Sequence, residues 1–458
     1  MIVLQMDPRS FKFSLIAVFV FTLIILYSFN ATPVSMVLNE TTSNAVVTNQ
    51  EIDPKDLPNY KIDNMDRFEW YTKRWKNELK DQKPPEIGEV SMLRAYEFDV
   101  EYSISITTPK KDKAIVYCRY FDADGKEILP AHQSYNYPEF VVNCPKRRGT
   151  KRLSVSSQST NNYTYPIELI NRMTKGMNTE SCYLKFCHLG YKHEFSFCMS
   201  PIYGKEPKWL LLAEVIEHYR LQGMTHFYFY VFHIDEYSNA ILQDYVRTGE
   251  VEVTYLLERN DRELLHWQMV GFRDCTLRSR HESKWSLFAD IDERLLMTQY
   301  PGTILDYLRD VNDRSISAVE FRQQWIMKPE FLPEKYEGDK QIEEWSPTLR
   351  WHNSSVYGPP GHTAKCIVMT EKILAMWTHR PSIILPGYRI HGLKTEEGIV
   401  RHYRDLQMWN WGKTWLKEIV AFGPMSMTDY PIKYQWNLTN AVKKRTKYVY
   451  ENYHPRLE

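Results

Sequence analysis

Residues 209–223, WLLLAEVIEHYRLQG, and 225–234, THFYFYVFHI, set the rhythm of the chain. The first carries apolar residues at helical spacing and stops at Gly223, a natural helix end. The second is an aromatic and β-branched run of strand length, too apolar for a surface strand. The pattern then repeats. SNAILQDYVRTG (238–249) reads as a helix capped by Ser238, VEVTYLL (251–257) as a strand, LLHWQMVGFRDCTLRSR (264–280) as a helix, and KWSLFADID (284–292) as a third strand. Strands alternating with helices in this way require crossover connections. The expected fold class is therefore α/β, with a mostly parallel sheet covered by helices.

The third strand ends in chemistry. In SLFADIDERL (286–295), strand alternation would point Asp290 and Asp292 the same way and place Ile291 and Glu293 on the other alternation. The pair falls at the carboxyl end of an apolar strand, where open α/β sheets bind ligands. Two neighbouring carboxylates repel each other unless something positive compensates them, and a divalent ion beside a diphosphate is one such partner. By the same reasoning, removing one of the two charges should relieve repulsion in the metal-free protein. The D-x-D triplet alone is common, and ordinary solvent-facing acids are the plain alternative. Asp235, closing the 225–234 strand, is placed to meet a nucleotide ribose or base, or to serve as a turn residue. No GxGxxG, P-loop or GxSxG pattern occurs, so dinucleotide, ATP and serine-hydrolase readings have no support.

The 458 residues suffice for one large domain plus an accessory one, and an apolar content of 43% supports a substantial core. A net charge of +1 gives no footprint for nucleic acid. The basic clusters KRRGTKR (146–152) and KKRTKY (443–448) read as solvated loops. Near the start, FSLIAVFVFTLIILYSF (13–29) is uncharged and reaches roughly 25 Å as a helix, enough for a thin bilayer. Arg9 and Lys12 precede it and the first charge after it is Glu40. The expectation is a cytosolic tail (1–12), a transmembrane anchor (13–29) and a body across the membrane; a cleaved signal peptide is the rival. Asn39, Asn162, Asn353 and Asn437 lie in N-glycosylation sequons. Five of the seven cysteines fall before residue 200, which suggests one or two disulfides there, an oxidising compartment and at least one unpaired thiol.

Residues 30–90 read as a stem. Between 95 and 200, stretches such as YEFDVEYSISITT (96–108) and YPEFVVNC (137–144) read as a β-rich, mostly antiparallel extension. The α/β domain is then expected over 201–430, with 431–458 as a C-terminal tail.

PIYGKEPKWLLLAEVIEHYRLQGMTHFYFYVFHID (201–235) and HWQMVGFRDCTLRSRHESKWSLFADIDERL (266–295) together resemble the family 92 glycosyltransferases. This nematode-expanded group includes β-1,4-galactosyltransferases acting on the core fucose of N-glycans. The likeness covers roughly residues 95–430, and the Tyr203-Gly204, Lys208-Trp209, Asp274-Cys275 and Trp285 neighbourhoods make it far more specific than D-x-D. It implies a GT-A-like fold, a single-pass Golgi enzyme with a lumenal catalytic domain, a UDP-sugar donor, a glycan or glycoprotein acceptor, and Mn²⁺ with Mg²⁺ as the substitute. It casts Asp290 and Asp292 as metal and diphosphate residues, Asp292 as the direct ligand. KCIVMTEKILAMWTHRP (365–381) offers His379 as a further metal ligand, and GIVRHYRD (398–405) offers His402 and Arg404 for donor phosphate. Arg294-Leu295 departs from the commoner Phe-Leu after the acids. Glu320, ending SISAVEF (315–321), is the candidate base for an inverting transfer of galactose. The competing class is a membrane-anchored glycan-binding module without catalysis, distinguished by metal-independent or absent nucleotide binding.

Overall fold

The structure is a computed structural model that describes residues 65–79, 83–110, 112–160, 164–173, 190–256, 262–407 and 410–452. The expected tail, anchor, most of the stem, and the sequons at Asn39 and Asn162 lie outside these residues. Among the described residues no helix is long and apolar enough to cross a membrane.

Strands β1 (Ser91–Glu97), β2 (Glu101–Thr107), β3 (Ile115–Phe121), β4 (Glu127–Tyr135), β5 (Val141–Pro145), β6 (Arg152–Ser156) and β7 (Ile167–Asn171) form a seven-stranded sheet in the order β4-β3-β6-β7-β1-β2-β5. All its neighbours run antiparallel except β1 and β7. Disulfide Cys118–Cys144 joins β3 to β5 inside this region. The antiparallel extension expected from the sequence is therefore present, but it ends before residue 193.

Residues 193–199, HEFSFCM, belong to the α/β part as β8 (His193–Met199), and not to the β-rich region. With β9 (His226–Val231), β10 (Val251–Tyr255) and β11 (Ser283–Ala289), β8 makes a parallel block in the order β10-β9-β8-β11. Each crossover carries a helix: Trp209–Leu221, Glu236–Arg247 and Leu264–Ser279. The period of two in these strands feeds two cores. Phe195, Phe197, Phe227, Phe229 and Leu287 pack with the first two helices, while Cys198, Tyr228, Tyr230 and Phe288 face the third. Disulfide Cys198–Cys275 fastens β8 to that third helix, and Cys366 is a buried free thiol.

Beyond β11 the sheet is mixed, which corrects the expectation of a mostly parallel one. Strands β12 (Glu293–Met297), β13 (Ile316–Lys328), β14 (Asn353–Ser354), β15 (Lys365–Val368), β18 (Arg389–Gly392), β19 (Gly398–Asp405) and β20 (Ser426–Met427) complete it, and β16 (Ile373–Met376) and β17 (Pro381–Ile384) pair separately. β15 runs antiparallel to both β11 and β13. The thirteen-residue β13 changes partners along its length, from β15 and β18 to β19 and β14. The chain past residue 430 is no detached tail either. Helix Ile432–Lys447 buries Leu438 and Val442 in the main core, and Arg445 of the supposed solvated cluster reaches Asp244 at 2.6 Å and Glu250 at 2.7 Å.

The two sheets meet across helix Leu264–Ser279, where Leu277 packs with Tyr96, Phe98 and Val141, Met269 and Val270 pack with Phe140, and a buried polar cluster accompanies them. Asp274 is fully buried and accepts from Arg94 Nη1 (2.6 Å), Ser105 Oγ (2.6 Å), Tyr230 Oη (2.7 Å) and Tyr96 Oη (2.8 Å). Burial alone would raise its carboxyl, but Arg94, Arg278 and these donors hold it below the usual range.

Candidate active site

In the strand order β10-β9-β8-β11, the chain steps outward from β8 to β10 and then returns to the other side of β8. The carboxyl ends of β8 and β11 therefore flank a topological switch point, where α/β sheets open a crevice. A cleft of about 640 Å³ lies there, walled by Ser200–Tyr203 after β8, Asp290–Glu293 after β11, and His379, His402 and Arg404.

Asp290 to Asp292 are a turn between β11 and β12, and not a continuation of the strand. The turn overrides the alternation expected from sequence and brings Glu293 in beneath the pair. The Asp290 N–H donates to Glu293 Oε2 at 2.9 Å. Lys365, the first residue of β15, is buried and places its Nζ 2.8 Å from Asp290 Oδ2 and 3.1 Å from Glu293 Oε2. Burial would lower the Lys365 ammonium, but the two carboxylates raise it above its ordinary value. Glu293 also accepts from Gln323 Nε2 at 2.7 Å. Despite Lys365, its deep burial pushes its carboxyl up.

Asp292 faces an imidazole and a guanidinium instead. His402 Nε2 lies 3.2 Å and Arg404 Nη1 3.6 Å from its Oδ2. These hold its carboxyl well below the usual range against the opposing effect of burial. The β12–β19 register sets Glu293 opposite His402, which fixes the imidazole over the turn, and its Nδ1 faces Gln323 Oε1 at 2.9 Å. Arg404 leaves its buried Nε without a hydrogen-bond partner. Tyr203, whose phenol is pushed up to about 12 by burial and by Asp290 and Asp292, closes the β8 side.

Asp290, Asp292, His379, His402 and Arg404 are thus brought to one cleft. Glu320 is not. In the β13–β15 register it stands opposite Cys366 while Phe321 stands opposite Lys365, so Glu320 faces away from the Asp290 side, with Arg380 at 3.1 Å. Asp235 is not a wall of the cleft either: its Oδ1 accepts from the Ser238 N–H at 2.8 Å as the N-cap of helix Glu236–Arg247. Asn353 and Asn437 are exposed, the first on β14 and the second on the C-terminal helix. Lys365, Gln323 and Glu293 went unassigned in the sequence. The available signal was the charge of Lys365 at the head of the apolar run CIVM, a ready partner for paired acids.

As a metal site, the residues fit in kind. Asp290 and Asp292 are hard oxygen donors partly open to the cleft, 27% and 15% exposed. The buried Nδ1 of His379 has no hydrogen-bond partner, and burial together with Lys365 pushes this imidazole down to about 4, keeping it neutral. No group of three His, Cys, Asp or Glu side chains stands at chelating distance among the described residues. Lys365 and Arg404 already supply positive charge of the kind expected from an ion alone.

Acids and cations are thus gathered at a switch-point cleft, where α/β sheets bind their ligands. Residues 193–438 match the model of glycosyltransferase family 92. The chain belongs to this family and is accordingly a sugar-transferring enzyme, using in general a sugar-nucleotide donor and a glycan acceptor. The matched span begins at β8, where the structure starts the α/β domain. Among solved structures, similarity extends to mannosyltransferase PcManGT from Pyrobaculum calidifontis in complex with GDP-Man and Mn²⁺, at 9% identity and a TM-score of 0.30, over 57% of this chain and 74% of that one. Galactosyltransferase LgtC in complex with donor and acceptor sugar analogues is similar at 12% identity and a TM-score of 0.24, over 53% of this chain and 99% of that one. At these scores the likenesses are loose. No curated protein matches the chain.

Proposed function

We propose that this glycosyltransferase is a metal-dependent, inverting galactosyltransferase that moves galactose from UDP-galactose to a glycan hydroxyl, with the core fucose of an N-glycan as the acceptor to test first. The observation that carries the reading is the Asp290–Asp292 turn at the mouth of the switch-point cleft, with Lys365 behind one acid and Arg404 beside the other. Arg404, with its unpartnered Nε, would bind the diphosphate, and His402 would hold Asp292 in register beside it. A divalent cation, Mn²⁺ or Mg²⁺, would be held by Asp292 and Asp290 with His379, and would neutralise charge on the departing diphosphate. The two disulfides among the described residues suit a lumenal, type II Golgi setting in which the 13–29 run serves as the anchor and Asn353 and Asn437 carry glycans.

The test is a donor panel with the full chain in detergent, with and without Mn²⁺, against glycans with and without core fucose. A hexose added from UDP-galactose only when Mn²⁺ and fucose are present is the expected result. Transfer from another donor would revise the sugar. Glycan binding with no transfer from any donor would favour the binding module.

A further inference from the structure

With Glu320 facing away from the cleft, the proposed transfer lacks a base. The cleft walls carry six carboxylates: Glu206, Asp290, Asp292, Glu293, Asp405 and Glu418. Five are each tied to a lysine or arginine. Glu206 lies 3.1 Å from Lys208, Asp290 2.8 Å and Glu293 3.1 Å from Lys365, Asp292 3.6 Å from Arg404, and Asp405 2.6 Å from Lys328. Each of these five therefore already has a fixed cation beside it. Glu418, on the short helix Leu416–Ala421, has no such cation among the described residues and is 45% exposed.

It is nevertheless held. His362 Nε2 lies 3.0 Å from Glu418 Oε1, and His362 Nδ1 lies 3.2 Å from the Thr363 hydroxyl. The His362 ring is wedged edge-on against Trp325 at 5.7 Å and Phe422 at 5.0 Å. One oxygen of Glu418 is therefore held by an oriented imidazole, and the half-exposed side chain lines the cleft. One turn earlier on the same face is Trp415, also a wall of the cleft and 51% exposed, whose carbonyl accepts from the Glu418 N–H at 3.1 Å. A flat, solvent-facing indole offers a pyranose ring an apolar face to stack on.

We infer that Glu418 is the catalytic base that deprotonates the acceptor hydroxyl, with His362 as its positioning residue and Trp415 as the platform for the acceptor sugar. This assignment rests on the inverting transfer proposed above. The acceptor hydroxyl oxygen forms a bond to C1 of the donor sugar as the C1–O bond to the diphosphate breaks. The bonding pair leaves with the nucleoside diphosphate, and the hydroxyl proton passes to the Glu418 carboxylate and on to solvent. A carboxylate in this role contributes roughly 10²–10⁴ in rate.

The test compares wild type, Glu418→Gln, Glu418→Asp and His362→Gln in the full-chain enzyme, using a donor and acceptor pair that the wild type turns over. Glu418→Gln should lose roughly 10²-fold or more in kcat, with the acceptor KM, binding of UDP and the thermal midpoint all held, since the side chain is exposed and buries nothing. Glu418→Asp should recover part of that loss, and His362→Gln should lower kcat by less than Glu418→Gln without moving KM. A Glu418→Gln enzyme within about threefold of wild-type kcat, or one whose loss follows a loss of UDP binding, overturns the assignment. A wild-type enzyme that transfers no sugar from any donor overturns the transfer reading together with this one.

Discussion

Two acidic sites, one on helix Leu264–Ser279 and one at the carboxyl end of β11, are built on opposite plans. Asp274, between the sheet and the β-rich region, has four side-chain donors around a carboxylate that no water reaches. Asp290 and Asp292 have comparable cationic company but keep one side toward a cleft. The saturated cluster locks two layers together, whereas the open one holds charge in readiness for a ligand. Proximity of acids and bases does not by itself mark a functional site; the unspent side of the carboxylates does.

The same chemical change at both places should separate the two plans. Asp274→Asn leaves buried guanidinium charge uncompensated and should cost about 3–5 kcal/mol in a denaturation experiment. Whatever protein remains folded should keep its activity. Asp292→Asn should do the reverse. Turnover should fall roughly 10²–10³-fold and stabilisation by Mn²⁺ with UDP should shrink, while the fold loses far less than with Asp274→Asn. The repulsion relief expected from sequence does not apply, because Asp292 balances Arg404 and is hydrogen-bonded to His402 as well as facing Asp290. Equal loss of stability at both sites would break the distinction.

A smaller effect tests saturation deeper in the core. His218 sits between Tyr430 Oη at 2.9 Å and the Leu295 carbonyl at 2.7 Å, and burial and Arg294 push its imidazole down to about 3. The unfolded chain takes up that proton near pH 6.5, so between there and about 3 the unfolded state holds one more proton than the folded state. Stability should fall with acidification across that window by about 1.4 kcal/mol per pH unit from this group alone. His218→Gln should flatten the dependence by that amount in denaturant titrations run from pH 7 to pH 4. The smallest effect belongs to Arg309 and Glu194, an exposed pair at 2.6 Å. Arg309→Ala should change stability by less than about 1 kcal/mol, setting the baseline for cations with water on all sides.

How far the sequence could be read follows from the same physics. Strands β9, β10 and β11 were legible because unbroken apolar runs between helical stretches have few other readings. β8 was missed because HEFSFCM follows a β-rich region, and nothing local tells a strand of one sheet from a strand of the next. The mixed half was hidden because β13 exchanges partners midway, a property of register and not of composition. At the site, the placement of Asp290 and Asp292 was legible from position, and His379, His402 and Arg404 only through family likeness. Glu293 was set aside because alternation was carried through a turn, and Lys365 stayed invisible because its partners lie 75 and 72 residues away in the chain. Glu320 and Asp235 had the right residue type at strand ends but the wrong face and a capping duty.

The turn of three residues between β11 and β12 has a consequence for how this enzyme can change. Ala289 ends a strand paired with β8, and Glu293 begins one paired with β19. Adding or deleting a single residue between them, if it slipped β12 by one position against β19, would exchange the two faces of a strand buried on both, turning Glu293 away from Lys365. Lineages of this chain can therefore exchange Ile291, which touches the cleft, far more readily than they can alter the number of residues in the turn. Diversity in what the cleft accepts should accumulate as substitutions there, and length variation should be confined to the loops beyond it.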